Sequence, residues 1–480
     1  MSLTFVRRDM LPPLAPPPGQ RGLVKWLREN LFSSVLNTGL TLVAAFAVYH
    51  LVSAVAVWLS HGVWTAASLR ECRDIIATAF GSEASGPCWA MVRLRWNQFL
   101  FGLYPVVEYW RPVTALALFL VALAPVLYFG QRKEGLVIAG AVTLGLALGL
   151  WGIGADPWHL WPTVLAFVAL ALLAWLRPRL LVWLTLAFPA LAYSLLWGGS
   201  IWGPIVAMAG FAVLALVWIA AQPRIGAAAA FGAGVAAALV WWAFLQSPVT
   251  GALQSLLPLS LPYVRSDDFG GFLLAFVIGV AAITASLPIG ILLSLGRLSD
   301  MPLVKALSVW YIEFFRGVPL ITVLFSANYM LLYFLPPGTN FDLILRVIIV
   351  VTIFASAYIA EVVRGGLAAL PRGQFEAADA LGLTYWQAQR LIVMPQALKI
   401  SIPGIVSSFI GLFKDTTLVA LVGLMDPLQG VTRVVRHDPT GAWKGIYWEP
   451  YIFVGAIFFV VCFSLSRYSM YLERKLKTDR

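Results

Sequence analysis

Lys414 and Asp415 stand inside an apolar run at about 397–424. Each charge costs about 2.5–3.5 kcal/mol at mid-bilayer on insertion scales, so a mid-membrane ion is a functional candidate. Adjacent helical positions point about 100° apart, so the two cannot pair with each other along one helix. Either each meets a partner on a neighbouring helix in a buried charge network, or the helix breaks here. The break is the favoured reading, with Asp415, Thr416 or Thr417 capping a second half-helix. Such a half-helix would turn its positive end to a cavity and face a solute carboxylate. Lys414, Asp415, Thr416 and Thr417 are therefore candidates for a solute pathway. Glu313 with Arg316, and Glu361 with Arg364, are i,i+3 pairs near the ends of apolar segments. They read as snorkelled surface charge or as support for a gate or loop. Nothing here does covalent chemistry, and no metal site is expected. His50, His61, His159 and His437 are scattered, and there is no Gly-Lys dipeptide from which to build a phosphate loop.

The elements that must position these residues are helices in a membrane. Of 480 residues, 60% are hydrophobic and 11% charged, against about 25% charged in soluble domains. The mean hydropathy is +0.85. This is the composition of an all-α polytopic membrane protein with about 12 transmembrane helices. Twenty tryptophans suit interfacial belts. The net charge of +11 is read as Lys and Arg gathered in cytoplasmic loops, not as nucleic-acid binding.

Residues 1–30 are expected to form a basic, Pro-rich, partly disordered cytoplasmic lead with Arg7, Arg8, Arg21, Lys25 and Arg28. No removable signal peptide is expected, because the first apolar run, near Leu31, is too long for one. Residues 31–112 comprise a first span (33–59) and a periplasmic segment with Cys72 and Cys88. These thiols either form a disulfide in an oxidising compartment or stay unpaired. Cys462 reads as a small core residue. Residues 113–268 supply six more apolar runs, at 113–130, 134–153, 159–176, 179–197, 200–221 and 225–246. They contain no Asp, Glu, Lys, Arg or His away from their ends and read as scaffold. Five spans follow within 269–475, at 269–294, 317–336, 343–365, 397–424 and 450–472. Twelve spans put both termini on one side. Arg132, Lys133, Arg177, Arg179, Arg224, Arg474, Lys475, Lys477 and Arg480 make that side cytoplasmic. Arg433, Arg436 and Lys444 fall on the disfavoured side.

Between the tenth and eleventh spans, Pro371–Pro395 reads as two short helices. Glu376 and Asp379 suit the N-terminal half of the first, and Gly382 ends it in a left-handed conformation. Thr384 caps the second, with Gln387 completing a capping box. Pro395 is expected to force the chain extended before the next span. Ala377, Ala378 and Ala380 would let another surface approach the backbone, while Phe375, Leu381, Trp386 and Leu391 would anchor the pair to its own chain or to a partner.

Glu376-Ala377-Ala378, three residues, Gly382, nine residues, Ile392, one residue and Met394-Pro395 resemble the EAA loop of ABC-importer permeases. Met394 stands where leucine is usual, a volume-conserving change. Tyr311–Leu320, Ala357–Gly366 and Lys414–Leu418 resemble stretches of the polar amino-acid permeases. The N-terminal helices, the 72–110 segment and Ser466–Arg474 resemble one subunit of the general L-amino acid transporters. The resemblance implies a type I ABC importer permease core at the C-terminal end and import of L-amino acids across a bacterial inner membrane. It also implies coupling through Gly373, Glu376, Ala377, Ala378, Gly382 and Pro395. The implied partners are a cytoplasmic ATPase dimer carrying ATP and Mg, a second and different permease subunit, and a periplasmic amino-acid-binding protein. This chain would bind no cofactor and would be no enzyme. The alternatives are a stand-alone secondary transporter or channel for small polar solutes, or a membrane-embedded enzyme. The first would need inverted repeats or a coupling-ion site, the second clustered acids or histidines, and none is apparent.

Overall fold

The computed structural model describes residues 22–127, 132–334, 342–438 and 440–476. Arg7, Arg8 and Arg21 of the lead, Lys477 and Arg480 of the tail, and the expected span ends at 128–130 and 335–336 lie outside the described residues. The helices run α1 Gly22–Asn30, α2 Val35–Ser60, α3 Leu69–Phe80, α4 Ala90–Phe101, α5 Trp110–Leu127, α6 Arg132–Gly152, α7 Pro157–Leu176, α8 Leu181–Trp197, α9 Trp202–Ile225 and α10 Ala227–Val240. They continue as α11 Gln246–Leu256, α12 Gly271–Arg297, α13 Pro302–Gly317, α14 Leu320–Phe334, α15 Leu343–Ala368, α16 Gly373–Ala380, α17 Tyr385–Ala388, α18 Met394–Asp415, α19 Gly430–Arg436 and α20 Trp448–Leu476. One two-residue ribbon, β1 Gly199–Ser200 against β2 Ser260–Leu261, pairs antiparallel with Gly199 opposite Leu261.

Among the described residues, ten helices are long and apolar enough to cross a membrane. α13 and α14 would form an eleventh span, bent by 102° at the junction. Val318 is extended there (φ −104°, ψ 135°), because Pro319 excludes the helical conformation from the residue before it. Leu136–Gly152 is a further, shorter apolar helix. The dozen expected spans correspond roughly to these.

The chain divides into two compact units, one of residues up to 93 with 440–449, the other of 94–439 with 450–480. In the first, Cys72 of α3 and Cys88 are joined by a disulfide. Backbone bonds clamp the lobe around it: Val63 N donates to Pro87 O at 3.0 Å, Ala90 N to Val63 O at 3.0 Å, and Leu69 N to Ala442 O at 2.8 Å. Glu449 accepts the Cys88 N–H at 2.8 Å. α2 has no buried residue.

In the second unit, Phe101, Tyr109, Leu196 and Trp197 share one buried cluster with Leu274, Ile278, Val347 and Leu412. Residues 94–111 and helix α8 thus pack into the same core as α12, α15 and α18. The approach is close enough to require glycine. A Cβ on Gly102, whose φ is +69°, would lie 2.3 Å from the Cα of Gly270. Gly271 N then donates to Met425 O at 2.8 Å.

Candidate functional site

The 371–395 loop folds as two short helices, and local chemistry explains each boundary. At the end of α16, Gly382 adopts φ +68°. Leu383 N reaches Ala378 O at 3.2 Å and Gly382 N reaches Asp379 O at 2.9 Å, a Schellman closure. Gln387 Oε1 accepts the Thr384 N–H at 2.9 Å, completing the capping box that opens α17. The expected extended break at Pro395 is absent. Residues Gln389–Val393 form a π turn and Pro395 sits in the first turn of α18, so the second loop helix runs into the next span. Proline lacks an N–H, which a first turn does not need, and the widened turn accommodates the change of ladder.

The loop exposes an apolar knob. Gly373, Glu376, Ala377, Gly382 and Pro395 are exposed. Leu381, Trp386 and Leu391 are 71%, 65% and 63% exposed, and Phe375 and Tyr385 join them. Of the small residues meant to admit a partner, Ala378 does not: it is buried against the loop's own chain. Beneath the knob, Leu370, Val393 and Ala397 pack with Leu295, Ile359, Val363 and Leu367. Gln396 Nε2 donates to Gln374 Oε1 at 2.9 Å. A Cβ on Gly366 would meet Ser401 Oγ at 2.1 Å, so α15 and α18 touch nearly backbone to backbone. The loop therefore stands on a footing that α12, α15 and α18 share.

Beside this footing lies a five-residue ionic cluster. Glu361 accepts from Arg364 Nε at 2.6 Å and from Arg297 at 3.3 Å, and Arg316 approaches it to 3.8 Å. Arg297 also donates to Glu313 at 2.8 Å. The Glu361–Arg364 pair forms as the spacing suggests, whereas Glu313 and Arg316 are drawn to different partners. Arg297 does not belong to either sequence pair, yet it joins them from the last turn of α12, where a cation also complements the helix dipole.

Arg316, Pro319, Tyr358, Ser408 and Asp415 contribute to the lining of a cavity of about 540 Å³, within the range of small-molecule sites. The Arg316 guanidinium lies 5.9 Å from the Tyr358 ring centre. Asp415 lines this cavity, while Lys414 is exposed. The half-helix expected here does not form. α18 tightens into a 3₁₀ stretch at Thr416–Val422, and Asp415 accepts no capping N–H. The hydroxyls of Thr416 and Thr417 turn back to Phe413 O (2.7 Å) and Lys414 O (2.9 Å) instead. The i−3 carbonyls satisfy them, which leaves no cap to give.

Arg111 and Asp426 are among the buried charged residues that the sequence did not single out. Arg111 is fully buried, 2.7 Å from Glu108 and donating to Pro262 O at 2.8 Å. Nearby Tyr104 donates to Leu196 O at 2.7 Å, and burial pushes its phenol up to about 12, with Arg111 opposing. Asp426 accepts N–H bonds from Leu428, Gln429 and Gly430 and so holds the start of α19. Burial raises its carboxyl above the usual range, while those N–H groups pull it back. The neighbouring Trp110 and Asp426-Pro427 were the available signals, and neither distinguishes a buried ion from a surface one.

Residues 286–478 match the family model described as the binding-protein-dependent transport system inner membrane component. The glutamate/glutamine/aspartate/asparagine transport system permease protein BztC of Rhodobacter capsulatus is 60% identical over 476 residues, 99% of each chain. The inner membrane amino-acid ABC transporter permease protein YhdY of Escherichia coli is 33% identical, covering 95% of this chain and 93% of its own. A solved amino acid ABC transporter crystallised with histidines is 30% identical over 42% of this chain and 90% of its own, with a TM-score of 0.37. The chain belongs to the permeases of amino-acid ABC importers, the inner-membrane components of binding-protein-dependent transport systems.

Proposed function

We propose that residues 371–395 are where this permease receives work from its ATPase. The observation that carries the reading is the knob: five large apolar side chains exposed on a polar two-helix loop, standing on the buried footing of α12, α15 and α18. Exposed apolar area of this kind marks a docking surface. Gly373, Glu376, Ala377, Gly382 and Pro395 shape its outline, and Ala378 fastens it to the chain. ATP and Mg belong to the partner ATPase dimer, and this chain contributes no covalent chemistry. The loop and both termini face the cytoplasm.

The 540 Å³ cavity is the proposed solute path. Arg316 offers a cation to a carboxylate, and Asp415 offers an anion to an ammonium. An α-amino acid carries both. Since BztC is named for glutamate, glutamine, aspartate and asparagine, the same acidic amino acids and amides are proposed as cargo here. A binding protein delivers them, and a second, different permease completes the pathway.

The test is reconstitution. The chain is purified with whatever co-purifies, the companions are identified by mass spectrometry, and glutamate uptake is measured in proteoliposomes with and without ATP. ATP-dependent uptake requiring an ATPase chain is expected. Uptake by the isolated chain driven by an ion gradient would overturn the proposal.

A further inference from the structure

The N-terminal lead contains a short helix that the Pro-rich sequence around it disguises. α1, Gly-Leu-Val-Lys-Trp-Leu-Arg-Glu-Asn, has no buried residue. Its 3.6-residue period gathers Leu23, Val24, Trp26 and Leu27 on one arc and Lys25, Arg28 and Glu29 on the other. Leu23 is 73% exposed and Trp26 54%. On the polar arc, Lys25 pairs with Glu29 at 3.8 Å. An isolated helix shorter than about 12 residues is marginal in water, so α1 needs something against its apolar arc.

The junction with α2 points to the cover. Only residues 31–34 separate the two helices, and they are held by bonds. Thr41 Oγ1 donates to Leu31 O at 2.8 Å, fixing the turn against the second turn of α2. Asn37 Nδ2 donates to Ser33 Oγ at 2.7 Å, and Ser34 caps α2 by accepting the Asn37 N–H. These bonds keep α1 from continuing α2 as one helix. α2 is a 26-residue apolar span without a buried residue, so lipid is the surroundings its sequence calls for. α1 is thereby held within a few residues of the bilayer boundary, with a tryptophan on the arc that would face it.

We propose that α1 is an interfacial helix, lying in the leaflet at which α2 begins. Its Leu23–Trp26–Leu27 arc is sunk into the headgroup and acyl boundary, and Lys25 and Arg28 remain among the headgroups. An anionic phospholipid surface is the occupant this arrangement fits: the apolar arc supplies burial, and two basic residues against one acidic supply attraction. The helix sets the depth and tilt with which the first span enters the membrane.

The test uses the full chain in vesicles of phosphatidylcholine and phosphatidylglycerol, in a Cys462→Ala background. The bridged Cys72 and Cys88 leave a single engineered thiol for a nitroxide label. Leu23→Cys, Trp26→Cys and Leu27→Cys report the apolar arc, and Lys25→Cys and Glu29→Cys the polar one. Collision rates are measured with oxygen, which favours lipid, and with a water-soluble nickel chelate. Labels on the apolar arc are expected to favour oxygen over nickel by several fold relative to those on the polar arc. The same alternation is expected in the complex with its partners. Equal nickel access on both arcs would place α1 in water. An apolar arc shielded from both reagents would place it against protein. Either result overturns the proposal, and amide exchange across α2 verifies that each variant has kept its first span.

Discussion

Replacing Trp386 with alanine tests the docking knob most directly. The side chain is 65% exposed, with its ring meeting Tyr385 edge-on at 5.3 Å. A whole tryptophan presents up to about 250 Å², so roughly 160 Å² is available to a partner. At about 25 cal/mol per Å², complete burial would contribute roughly 4 kcal/mol. Alanine keeps part of that area and some is never covered, so about 2–3 kcal/mol is expected to be lost. Affinity of the ATPase for the permease should fall about 30- to 150-fold. The assay titrates the ATPase onto nanodisc-embedded permease and measures the dissociation constant and transport-coupled hydrolysis. Because the loss lies in association, excess ATPase should restore hydrolysis. Trp310→Ala is the control: it removes a 63% exposed tryptophan from α13, off the loop, and should leave the affinity alone. Surface changes of this type shift the chain's own stability by about 0.5 kcal/mol or less. An unchanged dissociation constant would refute the reasoning, and so would a large drop in thermal stability, which would mean that Trp386 braces its own chain.

Gly382→Ala adds a Cβ with nothing within 4 Å, so its cost is the left-handed backbone alone, about 1–2 kcal/mol. Amide exchange at 373–388 should quicken, and Gly382→Asn, which tolerates that conformation better, should recover part of the loss. Glu361→Gln leaves Arg297, Arg316 and Arg364 without their shared anion. Losing a fully buried partner costs about 3–5 kcal/mol, but these arginines are 25–40% exposed, so about 2 kcal/mol is expected in thermal unfolding. Glu313→Gln, at a 54% exposed site, should cost under about 1 kcal/mol. Replacing Cys72 and Cys88 together by serine opens a loop with a sequence separation of 16, worth about 3 kcal/mol. Faster amide exchange confined to residues 62–93 and 440–449 is the expected result, and unchanged exchange would show that the clamp of backbone bonds suffices alone.

What the sequence made legible was local. Gly382 and the Thr384–Gln387 box mark helix ends through bonds that span only a few residues, so their chemistry survives without knowledge of the fold. Pro395 misled for the complementary reason. Its rule describes the residue before it, while here a π turn at Gln389–Val393 carries α17 into α18 with Pro395 in the first turn. The ionic cluster was half visible. Glu361 and Arg364 share a helix, but Arg297 reaches Glu361 across a separation of 64 residues, and no periodicity announces that. Lys414 and Asp415 drew notice for their cost in a membrane. Cost alone does not say which way each side chain turns, and only Asp415 lines the cavity. α1 was hidden because prolines and arginines around it resemble a disordered lead, although its own nine residues carry a helical period.

The knob, the cluster and the cavity share residues and helices. Glu361 is on α15, two turns before the helix end that leads into the loop, and its cluster includes Arg316, which also lines the cavity. If the loop receives work as proposed, a push on it would reach α15 and α18 through the tight contact at Gly366 and would change the distance from Glu361 to Arg316. On that reading, a longer distance would free Arg316 for a solute carboxylate. A shorter one would let Glu361 compete for the same guanidinium. The separation of 3.8 Å is too long for a hydrogen bond and near the outer limit of an ion pair, so Arg316 is the most loosely held arginine of the cluster. Substituting Arg316 by lysine would keep the charge but lose the forked geometry that lets one guanidinium address two carboxylates, and transport should then fall while ATPase docking, which depends on the knob, is retained.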